Sequence, residues 1–387
     1  MQSPDWLEKA VAAVSSARAA APPVEAELNR LAAGCEAASP PALEEIARLL
    51  TAHDPGFRLL AAAARVRESV FGRTVGLFAP LYYSNVCAND CVYCGFRSSL
   101  GGTRRRVLTE AEVGSDARVL LAHGHRRILL IASEDPSPRG LALALGAVRA
   151  VRAAAGDRVV SLALEMAPRA REDFARLAEA GVSGYILFQE TYDRSLYSRV
   201  HPAGPKSDFA HRLEGPGRAF GGGIRQLGLG VLYGLGDPVF ETVALVAHAR
   251  ELARTTGREV ASVSVPRLEP AEGVEFTTHP PHPVSDDLWL RLVAVLRLAL
   301  PRTDLIVSTR EQAALRRASL RAGATVFSAG SRTDPGGYQT PGRSREQFEV
   351  GDQRSLQDVE EDLKALGYNP SRVPGAPVAG APLGASS

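Results

Sequence analysis

The stretch "VGLFAPLYYSNVCANDCVYCGF", residues 75–96, opens with a short apolar run and then sets three of the chain's four cysteines, Cys87, Cys91 and Cys94, within eight residues. A continuous apolar run without polar alternation is the pattern of a strand buried on both faces. Seven more such runs follow, at 127–132, 159–165, 185–188, 227–233, 261–265, 304–308 and 325–328, with longer helical patterns between them. Strand and helix in alternation predict parallel pairing, and eight strands predict a closed (βα)8 barrel of the α/β class.

The helical stretches carry their own signals. Thr109 with Glu112 forms a capping box, Asp237 precedes Pro238, and Ser285 precedes "DDLWLRLVAVLRLAL". After the fourth strand, Pro216 predicts that the connection splits into two helical pieces. Residues 1–70 read as alanine-rich helices with turns at Pro22-Pro23, Pro40-Pro41 and Pro55-Gly56, packed outside a barrel spanning 71–340. A C-terminal extension over 341–370 and a disordered, proline-rich tail over 371–387 complete the expected organisation.

The 387 residues include 45 basic and 43 acidic side chains, a net charge of +2 that offers no argument for a polyanionic partner such as nucleic acid. No run is long enough to span a bilayer, and the first residues have no basic leader before their apolar stretch. Cysteines grouped as three plus one argue against a disulfide framework and for a reducing, cytoplasmic location. The "RRR" at 104–106 reads as a solvated face, and Cys35, within a helical pattern, as a buried apolar thiol.

Three clustered thiols without a fourth ligand suit a structural zinc site poorly, because that needs four protein donors. They suit an iron–sulfur cube, in which three irons take cysteine and the fourth stays open to a small molecule. Polar residues at the strand ends fall where a barrel assembles its active site: Glu134, Glu165, Gln189 and Glu190, Arg267, Arg310, Ser328 and Ser331.

The Cys-x3-Cys-x2-Cys spacing resembles that of the radical S-adenosylmethionine (radical SAM) superfamily. With "YILFQETYDRSLYSRVHPAGPKSDF", "GLGVLYGLGDPVFET", "SVPRL", "STRE" and "SAGSRTDPGGY", the resemblance extends over roughly residues 65–370 and narrows to the aromatic amino acid lyases, especially the tyrosine lyases of the 2-iminoacetate synthase and HydG types. It implies that Cys87, Cys91 and Cys94 hold a [4Fe-4S] cluster whose open iron chelates SAM, the source of a 5′-deoxyadenosyl radical. It also implies that Tyr93, Glu134, Glu165 and Gln189 contact SAM, and that Tyr82, Arg310 and Ser328 anchor the amino acid substrate. The implied reaction breaks the Cα–Cβ bond of L-tyrosine to give p-cresol and 2-iminoacetate (dehydroglycine), as in thiamine thiazole biosynthesis. A HydG-like role in hydrogenase maturation, or a lyase acting on tryptophan or another aromatic amino acid, are the alternatives. The implied partners are a flavodoxin or ferredoxin as reductant and a thiazole synthase or hydrogenase maturase. Two positions depart from the family pattern, Ser133 where glycine is usual and Glu269 where arginine is usual.

Overall fold

Alternate side chains of the first strand, β1 (Thr74–Ser84), part to opposite faces. Leu77, Ala79, Leu81 and Tyr83 pack outward into the main apolar core, whereas Phe78, Pro80 and Tyr82 turn into the barrel. The computed structural model describes residues 3–20, 25–36, 40–52, 58–158 and 160–373. Strands β2 (Arg127–Ala132), β3 (Ser161–Glu165), β4 (Gly184–Glu190), β5 (Gln226–Val231), β6 (Ser262–Ser264), β7 (Asp304–Val307) and β8 (Val326–Ser328) follow, each parallel to the next. β1 pairs with β2 along one edge, from Ala79 opposite Ile128, and with β8 along the other, from Gly76 opposite Val326, which closes the barrel.

The expected strands all form, with shifted ends. β1 runs four residues past Pro80, so that Tyr82 and Tyr83 belong to the strand itself. A short strand that the sequence pattern does not predict, β9 (Asn369–Ser371), lies parallel to the start of β1 with Ser371 opposite Gly76. Its three residues are polar or proline, so no hydrophobic period marks it; proline is tolerated there because only one edge is paired. Ser371 was expected in the disordered tail; the rest of that tail from 374 onward, with Pro22-Pro23 and Pro55-Gly56, lies outside the described residues.

The Thr109–Glu112 capping box is present, with Glu112 N–H donating to Thr109 Oγ1 and Thr109 N–H to Glu112 Oε2, and Asp237 and Ser285 cap the helices Pro238–Thr256 and Asp286–Ala299. The connection after β4 forms three α-helical pieces, Arg194–Val200, Phe209–Leu213 and Gly215–Gly221, and a short 3-10 turn, Pro205–Ser207, not the two helical pieces expected. Pro216 stands in the first turn of the last piece, where its missing N–H breaks no bond; the interruptions lie before it.

Four helices, Asp5–Ala19, Glu25–Glu36, Leu43–Thr51 and Arg58–Phe71, pack against the barrel helices Pro238–Thr256 and Asp286–Ala299. Trp6 stacks on His248 at 5.0 Å. Cys35 lies within the second of them, and its side chain lies outside the described residues. Inside the barrel, Phe78, Leu129, Ile186 and Ile306 form an apolar layer that separates a cavity at the strands' C-terminal mouth from one at the N-terminal mouth. No described helix is long and apolar enough to cross a membrane.

Candidate active site

The loop after β1 is held by side chains of its own neighbourhood. Asp90 accepts from Arg97 at 2.8 Å and from Ser99 Oγ at 2.6 Å, and these contacts, the arginine first, hold its carboxyl well below the usual range. Arg105 donates to the carbonyls of Asn85 at 2.8 Å and Phe96 at 2.6 Å, while Arg106 pairs with Glu112 at 2.7 Å. Arg104 is exposed, as a solvated face would have it, but Arg105 clamps the loop: a guanidinium has five donors, enough to tie several carbonyls at once.

Cys87, Cys91 and Cys94 are free thiols lining one cavity with about 590 Å³ of empty space. Burial raises all three, Cys87 to about 11. The N–H groups of Asn89 and Phe96 point at the sulfurs of Cys87 and Cys94, both at 3.4 Å. Such donors favour a negatively charged sulfur, the form in which cysteine binds a metal centre. Among the described residues no three His, Cys, Asp or Glu side chains are grouped to hold a single metal ion. Three soft donors spread over the wall of one roomy cavity, with no fourth, fit a polynuclear cluster better than one ion.

Opposite the thiols lies a buried charge network. Glu134 Oε1 accepts from Arg212 at 2.5 Å and its Oε2 from Asn89 Nδ2 at 3.0 Å; Lys206 Nζ reaches Glu190 at 2.7 Å and Glu134 at 3.9 Å. Burial works against the Glu134 charge, but Arg212 and then Lys206 outweigh it and hold the carboxyl low. Lys206 is pushed up despite burial and the neighbouring Arg212, because Glu190 and the acidic groups around it prevail. Glu190, at φ 70, is the one non-glycine described residue in the left-handed region, a strained placement at the end of β4. It is fastened from behind, since Glu241 accepts from Thr191 Oγ1 and, at 2.8 Å, from Tyr192 N–H. Ser133 lines the same cavity with a buried hydroxyl that has no partner among the described residues.

A second cavity, with about 1000 Å³ of empty space, shares Tyr93, Cys94, Glu165, Glu190, Ile131 and Gln347 with the first, so the two are one continuous site. Tyr82, Arg310 and Ser328, from β1, the loop after β7 and β8, meet on its wall. Arg310 has no carboxylate partner among the described residues; its guanidinium lies 3.3 Å from the centre of the Phe348 ring. Ser328 Oγ accepts from Thr309 N–H at 3.0 Å, which leaves its own O–H to donate. Ser331 brings a buried hydroxyl with no partner among the described residues. Burial, with Glu190 next, raises Glu165 to about 7; burial, with Glu311 next, does the same to Glu269.

Of the expected cofactor residues, Tyr93, Glu134 and Glu165 line these cavities, and Tyr93 O–H bonds His201 Nε2 at 2.8 Å. Gln189 lines neither: the strand's alternation turns Phe188 and Glu190 inward and buries Gln189 with its amide nitrogen unpartnered. Arg267 is a rim ion pair, bound to Glu311 and to Asp286 at 2.8 Å. Lys206, Arg212, Asn89 and Gln347 are site residues that the sequence did not point to. "HPAGPKSDF", with its single lysine, signals the first; nothing local marks Gln347.

Residues 81–247 match the radical SAM superfamily, and residues 264–369 match the Biotin and Thiamin Synthesis associated domain. The first ends within the helix Pro238–Thr256 and the second begins at the last residue of β6, so the boundary between them falls within the barrel. The chain is 35% identical over 316 residues to the 2-iminoacetate synthase of Escherichia coli (strain K12), covering 81% of each. The structure of HydG, a maturase of the [FeFe]-hydrogenase, superposes with a TM-score of 0.90 at 34% identity, over 96% of this chain and 81% of that one. HydG from Carboxydothermus hydrogenoformans superposes at 0.89 with 32% identity, over 96% and 85%. The chain belongs to the radical SAM superfamily, among the lyases related to 2-iminoacetate synthase, which work with a [4Fe-4S] cluster and S-adenosylmethionine.

Proposed function

We propose that this lyase cleaves the Cα–Cβ bond of L-tyrosine, releasing p-cresol and 2-iminoacetate for thiazole assembly in thiamine synthesis. The observation that carries the reading is Arg310, a cation without a carboxylate partner among the described residues, set in a largely apolar cavity continuous with the thiol site. A half-buried cation in an apolar cavity is costly unless a ligand supplies the charge, and a planar guanidinium takes a carboxylate through two parallel bonds.

Cys87, Cys91 and Cys94 would hold the cluster, and Tyr93, Glu134 and Glu165 would wall the space for SAM. Bound there, the pair supplies one-electron chemistry that removes a hydrogen atom from a substrate held beside it. The chain's part is orientation. Arg310, flattened on Phe348, holds the carboxylate in one plane; Ser328 donates to the same end of the substrate; Tyr82 meets the amine. Phe78, Leu129, Ile186 and Leu232 enclose the aromatic ring and keep water out. The expected reductant is a flavodoxin or ferredoxin.

Anaerobic turnover of the reconstituted, reduced protein with tyrosine, and separately with tryptophan, tests this. Tyrosine-dependent p-cresol with glyoxylate from hydrolysed 2-iminoacetate is expected. 5′-Deoxyadenosine without p-cresol would move the substrate elsewhere.

A further inference from the structure

Three consecutive residues beyond the barrel strands reach three parts of the site. The backbone carbonyls of Glu346 and Gln347 lie where a side chain on Gly95 would have to be, 3.1 and 2.8 Å from its would-be Cβ, immediately after Cys94. Phe348 carries Arg310. Between them the Gln347 amide spans two partners, with Nε2 at 3.9 Å from Cys94 Sγ and Oε1 at 2.8 Å from the Tyr82 hydroxyl. The segment is tied down by Gln347 N–H donating to Thr333 O at 3.2 Å and Glu349 N–H to Pro270 O at 3.1 Å.

We propose that Gln347 is a positioning residue that tethers the Tyr82 hydroxyl to the Cys94 sulfur and fixes which way that hydroxyl points. This rests on Tyr82 meeting the substrate amine, as in the function proposed above. The chemistry of the two ends sets the direction. A cysteine sulfur ligating a cluster only accepts, so the amide must turn its NH₂ toward Cys94 and its oxygen toward Tyr82. That oxygen also only accepts, so Tyr82 must donate to it. The proton of Tyr82 is then committed to Gln347, and only oxygen lone pairs remain for the cavity. Tyr82 therefore receives an N–H from a primary amine and offers no proton to a substrate acceptor. The same tether places a donor on a cluster sulfur, and donors to sulfur raise the reduction potential of a cluster.

The test compares the reconstituted wild type with Gln347→Met, which keeps the side-chain length and removes both hydrogen-bonding ends. Two quantities are read: the cluster midpoint potential without substrate, and the ratio of 5′-deoxyadenosine to cleaved tyrosine. The tether predicts a more negative potential and a ratio raised on the order of fivefold to tenfold, the effect of one lost hydrogen bond. Tyr82→Phe is expected to raise the ratio with a smaller change in potential. An unchanged potential in the Met variant at full iron content overturns the tether, and a shifted potential with an unchanged ratio overturns the orientation of Tyr82. Should the Met variant not hold iron, Gln347→Asn, too short to span both partners, reads the same two quantities. Because the potential is measured without amino acid, it tests the tether whether or not tyrosine is cleaved.

Discussion

The guanidinium of Arg310 lies flat on the ring of Phe348, 3.3 Å from its centre, although the two residues come from different loops at the barrel mouth. The stack leaves the guanidinium edge free for a carboxylate. Arg310→Lys keeps the charge but loses the fork and the stack. We expect kcat/KM for the amino acid to fall roughly 10- to 100-fold, from losing one or two charge-assisted hydrogen bonds. Phe348→Ala should fall less, about 3- to 10-fold for one cation–π contact. Steady-state kinetics and equilibrium binding of the amino acid check both.

Single substitutions Cys87→Ala, Cys91→Ala and Cys94→Ala should each abolish stable cluster binding while leaving the fold, because the main apolar core contains none of these side chains, and Cys91 and Cys94 pack only in two small satellite clusters. Iron and sulfide content after anaerobic reconstitution, beside far-UV circular dichroism, reads the two separately.

Glu269 gives a pH dependence with a defined sign. Its carboxyl is raised from the ordinary 4.5 to about 7 by burial and Glu311, against the pull of Arg310 and Arg267. Below that value it is neutral; above it, a negative charge stands near Arg310 and competes with a substrate carboxylate. Apparent affinity for the amino acid should therefore weaken as pH rises through about 7, and Glu269→Gln should flatten this component. Stability shares the direction: the folded chain keeps a proton that the unfolded chain releases near 4.5, so the contribution is full below 4.5 and lost as pH rises through 7.

Lys206→Met strands two buried carboxylates, Glu190 at 2.7 Å and Glu134 at 3.9 Å. Removing one member of a buried ion pair costs about 3–5 kcal/mol, and the Arg212 bond to Glu134 places this case at the lower end. Chemical denaturation should show that loss near neutral pH.

Gly95→Ala is expected to damage the site out of proportion to its size, since its methyl meets two backbone carbonyls that cannot swing aside. Cluster content should fall, with little change in the circular dichroism of the barrel.

The strand positions were legible because each strand is buried on both faces, and continuous apolar runs survive in one dimension. So was the thiol loop, since all three cysteines lie within one segment. Glu134, Glu165, Arg310 and Ser328 were legible for a related reason: a barrel sends the residue after each strand to the same mouth, so sequence position fixes location. Gln189 and Glu190 show the limit. They are adjacent, polar and at the right end of β4, but the alternation that carries Ile186 and Phe188 inward takes Glu190 into the cavity and leaves Gln189 buried outside it. β9 and the break points after β4 were invisible because short polar segments have no period to read.

By itself, then, the sequence determined the closed barrel of eight parallel strands and the grouping of three thiols after the first of them, each written into contiguous residues. Only the tertiary structure decided that Arg105 and Arg106 brace the thiol loop, that Lys206 and Arg212 neutralise Glu190 and Glu134, and that Gln347 reaches Cys94 across 253 positions of chain. Contacts between distant segments depend on how a loop packs on the closed barrel, and pairwise hydrogen bonds of that kind leave no local pattern for a sequence to display.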